Sequence, residues 1–116
     1  AFKGVDGNFL LTELILMDDE EFRRRFKGSP IKRIKRRGLL RNVAVALGNS
    51  KNLQAVPFLI KALKDKEPLI RAHTVWALGE LLLFESIALL DGKLAAETEP
   101  MVLQELDSLR QRYLVE

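Results

Sequence analysis

No cysteine occurs in this chain of 116 residues. Disulfides, thiolate metal sites, iron–sulfur ligation and a cysteine nucleophile are therefore excluded within these residues. The same absence fits a reducing compartment, so a cytoplasmic location is expected. Proline is sparse, at four, and no segment alternates apolar and polar residues for long, so strands are not expected. No apolar run approaches the roughly 18–20 residues that span a bilayer, and no membrane partner is expected. The opening AFKGVDGNFL lacks the apolar core of a secretory signal. It also lacks an initiator Met, which suggests a piece of a longer chain. The most informative absence is of negative charge: Phe22 to Lys64 contains no Asp or Glu, yet 13 Lys or Arg.

What is present is ordinary in amount and unusual in layout. The chain is 47% hydrophobic and 30% charged, enough for one domain with its own core. Its net charge of +3 hides a division: residues 1–60 sum to +6 and residues 61–116 to −3. A one-sided distribution of this kind is an electrostatic footprint for a polyanion.

The chain reads as all helix. Ser29-Pro30 is an N-cap followed by Pro at the first helical position, and Glu67-Pro68 repeats the arrangement. Asp18 to Glu21 gathers acids where a helix dipole is positive. Beneath this lies a repeat. VAVALGN at 43–49 answers TVWALGE at 74–80, so Ala46-Leu47-Gly48 maps on to Ala77-Leu78-Gly79. A weaker copy follows: EPLI at 67–70 is echoed by EPMV at 99–102. Val56, Leu59, Ile60 and Leu63 share one face of a first helix; Ile70, Val75, Leu78 and Leu82 furnish the second, with Trp76 beside them. One such pair cannot bury both faces, so pairs must stack into an α-solenoid. The Ala and Gly of ALG permit close helix approach, and the last pair should be atypical because its outer side meets water.

The stretch AVPFLIKALKDKEPLIRAHTVWALGEL resembles a HEAT-like repeat of the short bacterial type. The likeness rests on a Val-Pro near the start of the first helix, an acidic–Pro turn, Arg71 opening the second helix and ALG closing it. The expected architecture is three to four helix pairs. Residues 1–28 form N-terminal helices, 29–49 a basic first repeat, 52–82 the best-formed repeat, and 85–116 a degenerate capping repeat.

Within Phe22 to Asn42, ten residues are Lys or Arg. A single helix over 30–48 would put Ile31 and Ile34 opposite Leu40, Val43 and Leu47, so two helices are expected, 30–36 and 39–48, bent at Arg37-Gly38. Ile31 and Ile34 would then turn inward while Lys32, Arg33, Lys35 and Arg36 face out. Arg37 and Arg41 would stand at the mouth of the next helix, and Arg23, Arg24 and Lys27 would come from the helix before. These nine residues are the expected phosphate-binding set, because Arg offers planar, bidentate hydrogen bonds to phosphate. Phe22 and Phe26 are expected in the core, so base stacking finds no support within the stretch, and backbone recognition is expected instead. An anionic lipid surface is the alternative polyanion, ranked lower because the nearby apolar residues are committed to helix packing.

The longer segment, LTELILMDDEEFRRRFKGSPIKRIKRRGLLRNVAVALGN, resembles the region after the iron–sulfur domain of epoxyqueuosine reductases. The matching residues are Phe22, Phe26, Gly28, Ser29, Ile31, Arg33, Leu39, Arg41, Asn42, Ala46, Leu47, Gly48 and Asn49. The resemblance covers about residues 9–82. It implies the C-terminal HEAT-like module of an enzyme that reduces epoxyqueuosine to queuosine in tRNA, with cobalamin and two 4Fe-4S clusters in upstream domains. This piece would carry no catalytic residue and no cofactor or metal; its implied partners are the tRNA anticodon arm and the upstream domains of its own chain. Two other readings remain: a protein-interaction scaffold, and a HEAT-like lyase acting on bilin chromophores, which shares the repeat but not GSPIKRIKRRGLLRN. The lone His73 reads as structural, Trp76 as core, and Glu97 and Glu99 as solvated residues flanking a turn.

Overall fold

The computed structural model describes residues 10–114, and every described element is helical. Seven α-helices follow in order: α1 (Leu11–Leu14), α2 (Asp19–Arg25), α3 (Lys35–Asn49), α4 (Val56–Ala62), α5 (Pro68–Leu82), α6 (Ser86–Lys93) and α7 (Pro100–Leu114). Helix starts fall where the local chemistry puts them. Asp18 caps α2 by accepting the Glu21 N–H at 2.8 Å. Ser29 accepts the Ile31 N–H at 3.2 Å and opens a 3-10 turn over Pro30–Ile34. Asn52 does the same for Gln54 at 2.9 Å ahead of α4. Pro68 stands in the first turn of α5.

The α-solenoid expected from the repeat is what forms. The three 15-residue helices α3, α5 and α7 lie side by side in one layer, and the shorter α1, α4 and α6 pack behind them. The fully buried Leu14, Leu40, Val43, Leu59, Ile70, Val75, Leu78, Leu90 and Val102 make one continuous core across both layers. Phe22 and Phe26 close it at the N-terminal end, with ring centroids 5.2 Å apart. Repeated glycines set the helix spacing. A Cβ on Gly48 would come within 2.6 Å of Trp76 Cζ3 and 2.9 Å of Ala77 Cα, and one on Gly79 would collide with Leu109. The two ALG segments are therefore the points where α3 meets α5 and α5 meets α7.

The basic segment departs from the expected bend. Helix α3 runs unbroken through Arg37-Gly38, and Gly38 is buried inside it. The chain turns instead at Lys35, where φ is 64° and ψ 164°. The segment Pro30–Ile34 is a 3-10 turn of three residues per turn, and here, unlike the 3-10 turn ahead of α4, the change of direction falls at its junction with the α-helix. Moving the break three residues earlier changes which side chains point inward. Ile31 packs against the core, but Ile34 is 48% exposed.

A second departure concerns apolar length. The stretch Pro68–Lys93 is long and apolar enough to cross a membrane by length and composition alone. It is not one rod: Leu83, with φ 56°, breaks it between α5 and α6. Its apolar residues serve the core, with Ile70, Val75, Leu78 and Leu90 fully buried.

Candidate nucleic-acid interface

Eight of the nine basic residues singled out by the sequence reach the surface. Arg23 and Arg24 are exposed on α2, Lys27 follows in the next turn, Lys32 and Arg33 occupy the 3-10 turn, and Lys35 and Arg37 stand at the head of α3. Arg41 is half-buried on α3, with its Nε donating to Asn42 Oδ1 at 3.3 Å. No ion pair joins Arg24, Lys27, Lys32, Arg33, Lys35 or Arg37 to a carboxylate among the described residues. Lys32 and Arg33 line a shallow notch with Gly28, Ser29 and Pro30. Arg25, outside the set, is paired to Glu21 at 2.6 Å.

Arg36 is the exception and a correction. It faces inward, 8% exposed, with Nε donating to the Met17 carbonyl at 2.8 Å and its two terminal nitrogens on the Asp65 carboxylate. The continuous α3 turns position 36 on to the same side as Leu40 and Val43, and a guanidinium there must be paired to be buried. Its charge is thus spent inside the protein.

Arg23 belongs to a different neighbourhood from the 3-10 turn. It lines a cleft of about 540 Å³ with Ile15, Leu16, Asp18, Asp19, Glu20, Lys61, Lys64 and Lys66, floored by Arg36 and Asp65. The cleft is of mixed sign. Lys66 hydrogen-bonds Asp19, and that contact, aided by the charges of Lys66, Arg36 and Arg23, holds the Asp19 carboxyl below its usual value against a smaller effect of burial.

A second buried pair repeats the first one helix further on. Arg71 clamps Glu97 with two parallel hydrogen bonds, Nε to Oε1 at 2.8 Å and Nη2 to Oε2 at 2.9 Å. Its Nη1 donates to the Asp65 carbonyl at 2.8 Å. Glu97 is therefore a partnered, largely buried side chain rather than a solvated one, contrary to expectation. The Arg71 hydrogen bond is the main cause that lowers the Glu97 carboxyl below its ordinary value, and the same bond raises Arg71. Arg36, Asp65, Arg71 and Glu97 thus form a ladder along the heads of α3, α5 and α7. The acids sit at equivalent places: Asp65-Lys-Glu-Pro recurs as Glu97-Thr-Glu-Pro. That recurrence was the available signal for the ladder, since each acid falls three residues before the proline that opens a long helix.

His73 has the structural contact expected of it, with Nδ1–H donating to the Leu69 carbonyl at 2.9 Å. Trp76 is not core; it is half-buried, packed against the core by one edge. No group of three or more His, Asp or Glu residues is arranged to hold a metal ion among the described residues.

The paired layers, the repeated glycine contacts and the ion-pair ladder define a helical-repeat protein. The family model of HEAT repeats matches residues 36–110, and the chain belongs to the HEAT-repeat family. Over about 60% of its length it is similar to proteins named epoxyqueuosine reductase. That of Xanthomonas campestris is 39% identical over 71 residues, covering 60% of this chain and 20% of the relative. That of Pseudomonas aeruginosa is 42% identical over 72 residues, 61% of this chain and 20% of the relative. That of Escherichia coli K12 is 36% identical over 70 residues, 60% of this chain and 18% of the relative. The chain spans about one fifth of the length of these curated relatives. No solved structure gives a significant match.

Proposed function

We propose that this chain is the C-terminal tRNA-binding module of an epoxyqueuosine reductase-like iron–sulfur protein of queuosine biosynthesis, acting in the cytoplasm. Its part is to hold the anticodon arm through phosphate contacts. The observation that carries the reading is the set Arg24, Lys27, Lys32, Arg33, Lys35 and Arg37: exposed, unpaired with carboxylates among the described residues, and close in sequence in a chain similar to epoxyqueuosine reductases. Like charges this close repel, so the folded state alone gives no reason to collect them. Arg23 and Arg41 extend the set on either side, Arg23 sharing its field with Asp19. Phe22 and Phe26 are buried, which favours backbone over base recognition by this segment.

The chain offers no thiolate ligands for iron–sulfur clusters, having no cysteine. The clusters and cobalamin of such an enzyme would be held by the rest of the longer protein, together with the catalytic residues, so reduction is a property of that whole and not of this module.

The test is an anisotropy titration with a labelled anticodon stem-loop. If about five phosphates are neutralised, log affinity falls with log salt at a slope near −3.5 to −4.5. Reversal of Arg33 and Arg37 to Glu should weaken binding at least tenfold and flatten that slope. Absence of binding at low salt, or an unchanged affinity in the reversed variant, refutes the reading.

A second reading is a HEAT-repeat scaffold for protein partners without a nucleic-acid role. Leu53, Leu83 and Phe84, 61%, 52% and 57% exposed at the turns between long and short helices, favour it. A protein partner docked there would stay bound in excess RNA, whereas one held on the basic segment would be displaced.

A further inference from the structure

The long-helix layer has a solvent side, and its occupants come from two segments that the sequence keeps apart. On α5 the residues not sunk in the core recur as Leu69, His73, Trp76 and Glu80, at steps of four, three and four, one helical stripe. Carried back by the repeat offset, the same stripe on α3 contains Asn42, Val45 and Asn49. The two helices run parallel: Arg36 and Asp65 meet near their starts, and Gly48 meets Ala77 near their ends. The two stripes therefore lie next to each other; these contacts join residues 29 apart, so His73 stands at the height of Ala44, with Arg41 about one turn nearer the helix start.

Two side chains in this surface have unused recognition groups. Trp76 is half-buried, pinned because its Cζ3 lies over Gly48, where even a Cβ would not fit. Its indole N–H has no hydrogen-bond partner among the described residues, and no buried side-chain polar atom is left unsatisfied, so that N–H reaches solvent. His73 lies one turn earlier. Its Nδ1–H is committed to the Leu69 carbonyl, which orients the ring, and Nε2 has no partner among the described residues. A part-exposed indole held against Gly48, an imidazole one turn earlier and Arg41 on the neighbouring helix are the composition of a nucleobase platform: rings for stacking and a cation for the adjoining phosphate.

We propose that His73 and Trp76 form a stacking site for an unpaired base of the RNA whose phosphates lie on the basic segment. The inference rests on the RNA reading above and deepens it. The basic segment has no exposed ring of its own, so α5 supplies the element that tells an unpaired base from a paired one. Paired bases are stacked on each other and present no free face; a base in a loop does.

Trp76 is the sole tryptophan, so its fluorescence reports on this site alone. The full chain is titrated with a hairpin carrying an unpaired loop and with a blunt duplex of equal length, followed both by anisotropy of the labelled RNA and by tryptophan emission. The hairpin should quench Trp76; the duplex should bind with a similar salt slope and leave emission unchanged. Trp76→Leu should erase the preference for hairpin over duplex, on the order of tenfold, while Trp76→Phe retains most of it. His73→Ala, which leaves the Gly48 contact intact, should lower the preference in part, with helicity by circular dichroism unchanged. If both RNAs bind and neither quenches, or if His73→Ala and a folded Trp76→Leu keep the full preference, the stacking site is overturned and the phosphate grip stands. If neither RNA changes the anisotropy at low salt, the RNA reading itself falls, and this site with it.

Discussion

Arg36 and Asp65 stand 29 residues apart in sequence and close on each other at the head of α3, each side chain less than a tenth exposed. The guanidinium also holds the Met17 carbonyl, and the Asp65 carboxylate also accepts the Glu67 N–H at 3.0 Å. Three segments are joined at one point: the turn after α1, the start of α3, and the turn between α4 and α5.

That makes Arg36 a folding residue within a stretch of binding candidates. Replacing Arg36 or Asp65 by Ala leaves a buried charge without its partner, and a cost of about 3–5 kcal/mol is expected. Replacing both by Leu should cost less than either single change. Denaturant unfolding of the three variants measures this. A loss below about 1 kcal/mol in both single variants would show that solvent reaches the pair and screens it.

The same arithmetic gives the acid response. Glu97 has a lowered carboxyl, with the Arg71 hydrogen bond as first cause. A depressed carboxylate stabilises the fold fully above its unfolded value, ordinarily 4.5, and the contribution is lost as pH falls below that toward the folded value. Unfolding midpoints should therefore decline through this window in the wild type. In Glu97→Gln the decline should be shallower and the midpoint at neutral pH lower. Thermal melts at stepped pH test both; parallel acid limbs in the two proteins would remove Glu97 as the cause.

Much of the fold was legible because it depends on short-range chemistry. Asp18, Ser29 and Pro68 opened helices where expected, and the ALG pairs marked the helix contacts. What escaped was set by small angular differences. Gly38 was a reasonable place for a bend, yet its neighbours Leu39 and Leu40 are both buried, and α3 keeps them so only by staying helical through it. Shifting the bend to Lys35 turned Arg36 in and Ile34 out. Trp76 was read as core, and Lys66 passed over, for a different reason. Each takes its meaning from a partner at least 28 residues away, Gly48 for one and Asp19 for the other, and no local pattern encodes such a meeting.

The two contact glycines should differ. A Cβ at Gly48 meets the Ala77 backbone as well as the Trp76 ring, and a backbone cannot step aside. At Gly79 the obstacle is the Leu109 side chain, which can change rotamer. Alanine gains about 1 kcal/mol of helix propensity at either site. Overpacking costs about 1–3 kcal/mol and should outweigh that gain clearly at Gly48. Gly48→Ala is expected to destabilise by about 2 kcal/mol, Gly79→Ala by less than about 1 kcal/mol. Chemical denaturation of the two variants orders them; equal losses would mean that α3 and α5 can slide apart as easily as Leu109 can turn.

Leu83 carries the opposite expectation. Its φ of 56° and ψ of −130° fall in a region that an L side chain adopts only under constraint. The side chain is 52% exposed, so little burial is lost on removing it. Backbone strain of this kind costs about 1–3 kcal/mol, while glycine adopts the conformation freely at the expense of about 1 kcal/mol of unfolded-state entropy. Leu83→Gly should therefore raise stability by about 0.5–1 kcal/mol, and Leu83→Ala, which keeps the Cβ, should not. The alanine variant separates relief of strain from loss of an exposed apolar group. If both substitutions lower the unfolding midpoint equally, the Leu83 side chain contributes packing to the α5–α6 corner that outweighs the strain there.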